Sequence, residues 1–454
     1  MSLMSIVKLV DLEEPKKLDA EIYRPEFISA YERLKKFPEH NLGEFIEVVT
    51  CGNTYELYNK PEPNSVRFIT TQNVRDFFLD EEKMDYTPLE KHNNELKRSQ
   101  LREGDLVLTH IGADFNVVGR FAIIFKEILP CNISQSVALI RLKGINPFYV
   151  MTFFNTKFGR LIFHRKFGGT NQKFVNYETI KKVPIIVPDI QFQTKIQKMI
   201  LESYRNLKES KSCYNEAYQL FDNALKINGD AKKTLCYTAE LSEIVSSKRL
   251  DAEFYRPELK DIINQIPKGI ILEQLQNMTE EIIKGIEVGA EEYLDEGIPF
   301  VRVSNLTEFG IDDANQKFIS DKLYQTFKSD FKPEVGEILI SKDATLGVPL
   351  LVREDNEMLV SGGILRLKLK PKINKNYMVL ALNSDFVKMQ IVRDAGGSII
   401  IHWRPELVKN TLIPILPIEK QEKISKLMEE SYKLREESRR LLQKAKTEVE
   451  SLIV

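Results

Sequence analysis

The stretch Leu18–Phe27, LDAEIYRPEF, returns as LDAEFYRPEL at Leu250–Leu259, with eight of ten positions identical at an offset of 232 residues. A match of that length within one chain means duplication, so whatever the first half folds into, the second must fold into again. Pro25 and Pro257 suit the first turn of a helix, where a missing N–H costs nothing. Behind them Phe27, Tyr31 and Leu34 recur at helical spacing, as do Leu259, Ile262, Ile263 and Ile266. The motif reads as a helix start packed on its own core, with a ligand role for Asp19, Glu21 or Tyr23 as the alternative.

The repeat extends well past the motif. Short β-rich runs follow at Phe45–Val49, Val66–Thr71, Asp105–Thr109, Val117–Phe125 and Ser136–Leu142, and the pattern resumes after Ile270. Phe68–Val74 stands opposite Phe300–Leu306, and Gly104–Leu108 opposite Gly336–Ile340, both at the offset of 232. Beyond the loop Ile111–Gly119, longer than its partner Asp343–Gly347, the offset falls to 228 and Gly168-Gly169-Thr170 meets Gly396-Gly397-Ser398. Each unit closes on a proline-bounded apolar strand, Val183–Pro188 or Leu412–Pro417.

A long helix follows each closing strand. Ile196, Ser203, Ser210, Ala217 and Ala224 fall at one heptad position and Ile200, Leu207, Tyr214 and Phe221 at the other. In the second copy the sets become Ile424, Ser431, Ser438, Ala445 and Leu452, with Met428, Arg435, Leu442 and Val449. A seam of alternating small and large residues lets two helices approach closely, and pairing them buries both seams. Packing of each helix on its own domain is the alternative.

The expected fold is α+β. Two homologous β-rich domains are joined by two long helices, packed as an intramolecular antiparallel coiled coil about a pseudo-two-fold. The expected boundaries are a first domain over 1–189, a spacer helix over 190–227, a second domain over 228–417 and a second spacer over 418–454. At about 36 residues each helix spans roughly 54 Å.

Catalytic motifs are scarce. Neither a Gly-x-x-x-x-Gly-Lys-Ser/Thr loop nor a Gly-x-Gly-x-x-Gly loop occurs, and the four cysteines and five histidines are scattered, which gives zinc little support. Asn146-Pro147-Phe148-Tyr149 is similar to the Asn-Pro-Pro-Tyr/Phe loop of amino methyltransferases but lacks the second proline, and reads as a turn opening a helix. Pro188-Asp189 with Glu209-Ser210-Lys211 has a nuclease-like spacing, yet the latter trio lies some 30 Å along the helix.

A DNA-facing surface fits better. Arg160 to Lys182 carries six cations against one acid, around Gly168-Gly169-Thr170-Asn171-Gln172-Lys173. Glycine lets backbone N–H groups approach phosphate, and Asn and Gln pair bidentately with adenine. The candidates are Arg165, Lys166, Gly168, Gly169, Thr170, Asn171, Gln172 and Lys173 in the first unit. Arg393, Gly396, Gly397, Ser398, His402 and Arg404 are their counterparts in the second. The strand-end residues Gln72, Asn73, Ser304 and Asn305 join them, with His110 and Lys342, although such residues also form turns. Trp403 reads as packing. The net charge of −1 argues against broad polyanion binding but leaves room for a local basic face.

Two β-rich units, each preceded by LDAExYRPE and followed by a long helix, resemble the specificity subunit of type I restriction–modification systems. The run Ile413–Ile424, IPILPIEKQEKI, is similar to the segment that leads those subunits into their spacer helices, and Val183–Ile196 keeps Pro188, Gln193 and Ile196. The resemblance implies two target-recognition domains reading the halves of a split double-stranded DNA sequence. Its helices set the gap and hold two methyltransferase subunits, and restriction/translocase subunits complete the enzyme. The chain itself would be non-catalytic and without cofactor or metal. S-adenosylmethionine, ATP and Mg²⁺ would sit on the partners, and adenine would be the methylated base. A cytoplasmic, non-membrane protein is expected, with a protein-binding scaffold lacking DNA readout as the alternative.

Overall fold

The computed structural model describes residues 20–54, 57–169, 172–226, 236–247, 249–313, 315–395 and 402–453. The chain divides into two compact units, residues 1–207 with 436–454, and residues 208–435.

In the first unit Pro25 occupies the first turn of helix Pro25–Leu34, which buries Phe27 and Ala30. An antiparallel sheet runs in the order Ile46–Cys51, Val137–Leu142, Leu106–Thr109, Phe121–Ile123. A smaller sheet sets Ser65–Ile69 between antiparallel Asp85–Pro88 and parallel Cys131–Ile133. Against the first sheet pack helices Pro147–Asn155 and Lys157–His164, with Phe121 stacked on Phe154 at 5.0 Å.

The second unit repeats both sheets. Thr279–Lys284, Ile364–Leu369, Ile338–Ser341 and Pro349–Leu351 stand in the same order as the first sheet, and Ile298–Val301 sits between antiparallel Lys317–Ile319 and parallel Leu359–Val360. An acid buried at one repeated position grips an arginine in each copy. Asp105 holds Arg141 at 2.8 and 2.7 Å, and Glu337 holds Arg366 at 2.8 and 3.0 Å. The arginines are not at matching positions: Ile140 and Leu367 pair with equivalent residues, so Arg366 stands where the first unit has Leu139.

Two expected strands are shorter or missing. Of Val117–Phe125 only Phe121–Ile123 is strand. The residues before it turn back on Asp114 and pass through Gly119 at φ +78°, where a Cβ would press on His164. Val183–Pro188 makes only one bridge, Pro184 with Asn41, where the second unit has the four-residue ladder of Ile271–Gln274 with Leu412–Ile415. A short helix starts at the matching place in both copies, Leu42–Glu44 and Leu275–Met278, so the difference lies on the far side of the bridge, where Pro38 has no N–H to donate and the second unit has Ile271.

Both copies tie the closing segment down alike. The buried Tyr149 and Tyr377 hydroxyls each donate at 2.6 Å to a carbonyl there, of Ile186 and Pro414. Gln193 and Gln421 donate back to the carbonyls of Pro188 and Leu416 at 2.9 and 2.7 Å, fastening the segment that leads into the long helices Ile190–Leu225 and Ile418–Ser451. Asn146 caps helix Pro147–Asn155 and donates to Gln197 at 2.7 Å, so the Asn-Pro-Phe-Tyr run is structural.

The long helices run antiparallel within each unit. In the first, Lys195 pairs with Glu448 at 2.7 Å, and Ser203 and Ser438 meet hydroxyl to hydroxyl at 2.8 Å. In the second, Ser210 and Ser431 meet at 3.0 Å, each also donating to the other's carbonyl. Ile196, Ile200, Ala445 and Val449 are buried in the first unit's core, with Leu207 and Leu442 half-buried on it. Ala217, Phe221, Ile424 and Met428 are buried in the second unit's core, and Tyr214 packs on it. Each half-helix thus packs on its partner and on its own lobe. Arg435, at a large position of the seam, lies over Phe309 at 3.6 Å.

Burial pushes the imidazole of His164 down to about 4, and its Nε2–H donates to the Val118 carbonyl at 3.1 Å. The fold therefore favours the neutral ring, whose contribution is full above the ordinary histidine value of about 6.5 and is lost as pH falls towards 4. We expect acid destabilisation of the first unit to begin near pH 6.5, and His164→Phe to flatten the pH dependence of its amide exchange across that window.

Candidate nucleic-acid interface

In both units one short two-stranded pairing carries the residues that follow the glycine pair. In the first, Ile111 pairs with Phe174, and Val175 donates to the His110 carbonyl at 3.0 Å. In the second, Asp343 pairs with His402, and Trp403 donates to the Lys342 carbonyl at 2.8 Å. These are the same positions at the offsets read from the sequence. The backbone is shared and the side chains are not: Ile111, Phe174, His110 and Val175 face Asp343, His402, Lys342 and Trp403.

The first hairpin closes by two backbone hydrogen bonds between Gly168 and Phe174, at 2.9 and 3.0 Å. Gly169 has φ +98°, and a Cβ there would fall 2.1 Å from the Gln172 carbonyl. Turn geometry therefore already demands this glycine. Gln172 and half-exposed Phe174 project to solvent. In the second unit His402 is exposed, its Nδ1 2.7 Å from an Asp343 oxygen, while the other oxygen takes the Lys342 ammonium at 2.7 Å. Burial pushes the Asp343 carboxyl up, but the hydrogen bonds from His402 and Lys342 outweigh it and hold the carboxyl below its usual range. The remaining imidazole nitrogen, Nε2, is the edge left to offer a ligand.

Several candidates are spent on the fold. Asn73 is fully buried: its side chain accepts from the Thr70 N–H at 2.9 Å and donates to the carbonyls of Asp80 and Lys83. Asn305, equally buried, accepts from the Arg302 N–H and donates to the Asp312 carbonyl. Both amides are engaged within turns of the fold. His110 is buried with its ring nitrogens 3.1 and 3.0 Å from the carbonyls of Val175 and Gln135. Buried Lys173 donates to the Gly169 carbonyl at 2.8 Å. Lys342 is buried against Asp343, and Arg393 pairs with Asp394 at 2.6 Å. Arg165 is buried over Tyr31, and Lys166 lies half-buried over the same ring. Trp403 is buried as packing.

Gln72, Gln172, Ser304, His402 and Arg404 are exposed, and Gly168 is half-exposed. Thr170, Asn171, Gly396, Gly397 and Ser398 lie outside the described residues. Phe174 and Asp343 were missed by the sequence reading, although the offsets set them opposite His402 and Ile111. Asn73→Ala is expected to cost about 1–3 kcal/mol, since it leaves buried backbone groups unsatisfied. Thermal unfolding with unchanged DNA discrimination at the permissive temperature would check the structural role.

Residues 268–447 match the family model described as "Type I restriction modification DNA specificity domain". Through that stretch the chain is similar to the type I restriction–modification specificity family. No curated protein matches the sequence. Among solved structures it is similar to the type I restriction–modification S subunit from M. genitalium, at 11% identity and a TM-score of 0.44 over 92% of this chain and 94% of that one. It is also similar to the HsdS subunit from Thermoanaerobacter tengcongensis, at 13% identity and a TM-score of 0.29 over 91% and 95% of the two chains. The specificity-family stretch takes in Ser304, Lys342, Asp343, Arg393, His402 and Arg404, together with most of the second long helix. No helix among the described residues is long and apolar enough to cross a membrane.

Proposed function

We propose that the chain is the DNA-reading subunit of a type I restriction–modification enzyme, each unit reading one half of a split, asymmetric double-stranded target. The observation that carries this is the pairing found twice with different side chains. Ile111 and Phe174 offer an apolar, aromatic edge, whereas Asp343 and His402 offer a carboxylate-oriented imidazole. One scaffold with two chemistries suits two unlike half-sites. The long helices set the separation of the halves and dock two methyltransferase subunits, with restriction/translocase subunits completing the enzyme. The subunit performs no chemistry. Methyl transfer from S-adenosylmethionine to adenine, and ATP and Mg²⁺ use, belong to those partners. A reader of this kind works in the cytoplasm, where it meets its DNA.

Binding-site selection with the assembled complex tests this, and a bipartite motif with unlike halves is the expected result. Phe174→Ala or Gln172→Ala alters one half and His402→Ala the other, each by about 1–3 kcal/mol of discrimination. A perfect palindrome, or both halves changing together, would refute the assignment. That several candidate cations are already paired within the fold favours a second reading, a scaffold that binds only proteins. An affinity for DNA that does not change with salt would decide for it, because phosphate contacts release counterions.

A further inference from the structure

The repeated LDAExYRPE motif lies against the arginine found three residues before each glycine pair. In the first unit the Arg165 guanidinium carbon sits 4.3 Å from the ring centre of Tyr31 and 5.8 Å from that of Tyr23. The Tyr31 hydroxyl also donates to the Ile162 carbonyl at 3.3 Å, on the helix that ends at Arg165. In the second unit Arg393 sits 5.3 Å from the ring centre of Phe254, and Arg249 sits 4.6 Å from it. Arg249 grips Asp251 through two N–H groups and donates to the Asp394 carbonyl at 2.8 Å. The start of the motif and the end of helix Asp385–Asp394 are thereby fastened together.

The two arginines occupy matching positions, but the rings do not. Where the second unit has Phe254 the first has Ile22, and where the first has Tyr31 the second has Ile263. The duplicates reached the same cation–aromatic contact from different side chains, so the contact is what both copies keep. A guanidinium over a ring is attracted to the π-face and held near it.

We infer that the repeated motif, with the helix it opens, is a positioning clamp: rings on the two hold Arg165 and Arg393 so that they aim the strand carrying Phe174 or His402, and neither arginine touches DNA phosphate. Each arginine ends the helix from which the chain returns to pair with Ile111 or Asp343, so the helix end sets where that strand lies. The inference rests on the reading of these strands as DNA-facing.

Three variants of the full-length chain separate the possibilities. Phe254→Leu keeps the bulk and removes the π-face, and Phe254→Tyr keeps both. Without DNA, amide exchange at Asp394 and Ala395 should rise about tenfold in F254L, the size of one cation–π contact, and stay near wild type in F254Y. Equal exchange in F254L and wild type overturns the clamp whatever the DNA result. With DNA, the complex assembled from F254L should lose about tenfold in discrimination at the second half-site only, with F254Y restoring it. Arg393→Gln should leave the slope of log affinity against log salt unchanged. A slope smaller by about one would make Arg393 a phosphate contact and overturn the proposal. If exchange rises in F254L but the wild-type complex discriminates no DNA sequence, the DNA-facing reading fails and the positioning role falls with it, while the contact stands.

Discussion

Glu337→Ala is expected to destabilise the second unit by about 3–5 kcal/mol, because it strands a buried guanidinium. Arg366 and Glu337 are only 4% and 3% exposed and meet through two hydrogen bonds, while a third goes to the Asp330 carbonyl. Removing the acid leaves the cation charged, desolvated and short of two acceptors. Removing both charges is different: Glu337→Leu with Arg366→Met, two apolar residues of similar volume, should restore most of the loss. Amide exchange in strands Ile338–Ser341 and Ile364–Leu369 reports the effect locally. Comparable losses in the single and double variants would show that the pair is not the source of the stability.

Ser210→Leu should cost about 3 kcal/mol, the upper end of overpacking penalties. Ser210 and Ser431 are both fully buried where the long helices touch, and each hydroxyl reaches the other's main chain at 2.7–2.8 Å. No room exists for a branched side chain at that approach. Ser210→Ala with Ser431→Ala removes both hydroxyls together and should be nearly neutral. Chemical denaturation of the three proteins gives the comparison. A neutral Ser210→Leu would mean that the helices stand farther apart than these hydrogen bonds require.

The duplication, the two long helices and the residues of their seam were legible because each leaves a period in the sequence. The fate of individual polar side chains was not. Asn73 and Asn305 look like base readers by chemistry, and only three-dimensional neighbours show that every arm of the amide is engaged within the fold. A physical hint was nevertheless present. Asn73 and Asn305 are the same residue at the same place in both copies, as are Arg165 and Arg393, and a residue that repeats cannot distinguish two unlike half-sites. Repeated positions mark framework, and divergent ones such as Phe174 and His402 are the places to look for readers. The missing strand at Val183–Pro188 failed for another reason: its partner segment carries Pro38, which has no N–H for a ladder, and the apolar pattern of the closing strand does not record that.

The first lobe is not contiguous in the chain: Ala445, Val449 and Ile453 complete the core that Ile196 and Ile200 line. During synthesis these residues emerge only after the whole of the second lobe has left the ribosome. Until then the earlier lobe carries an uncovered greasy flank, so it matures last although it is made first.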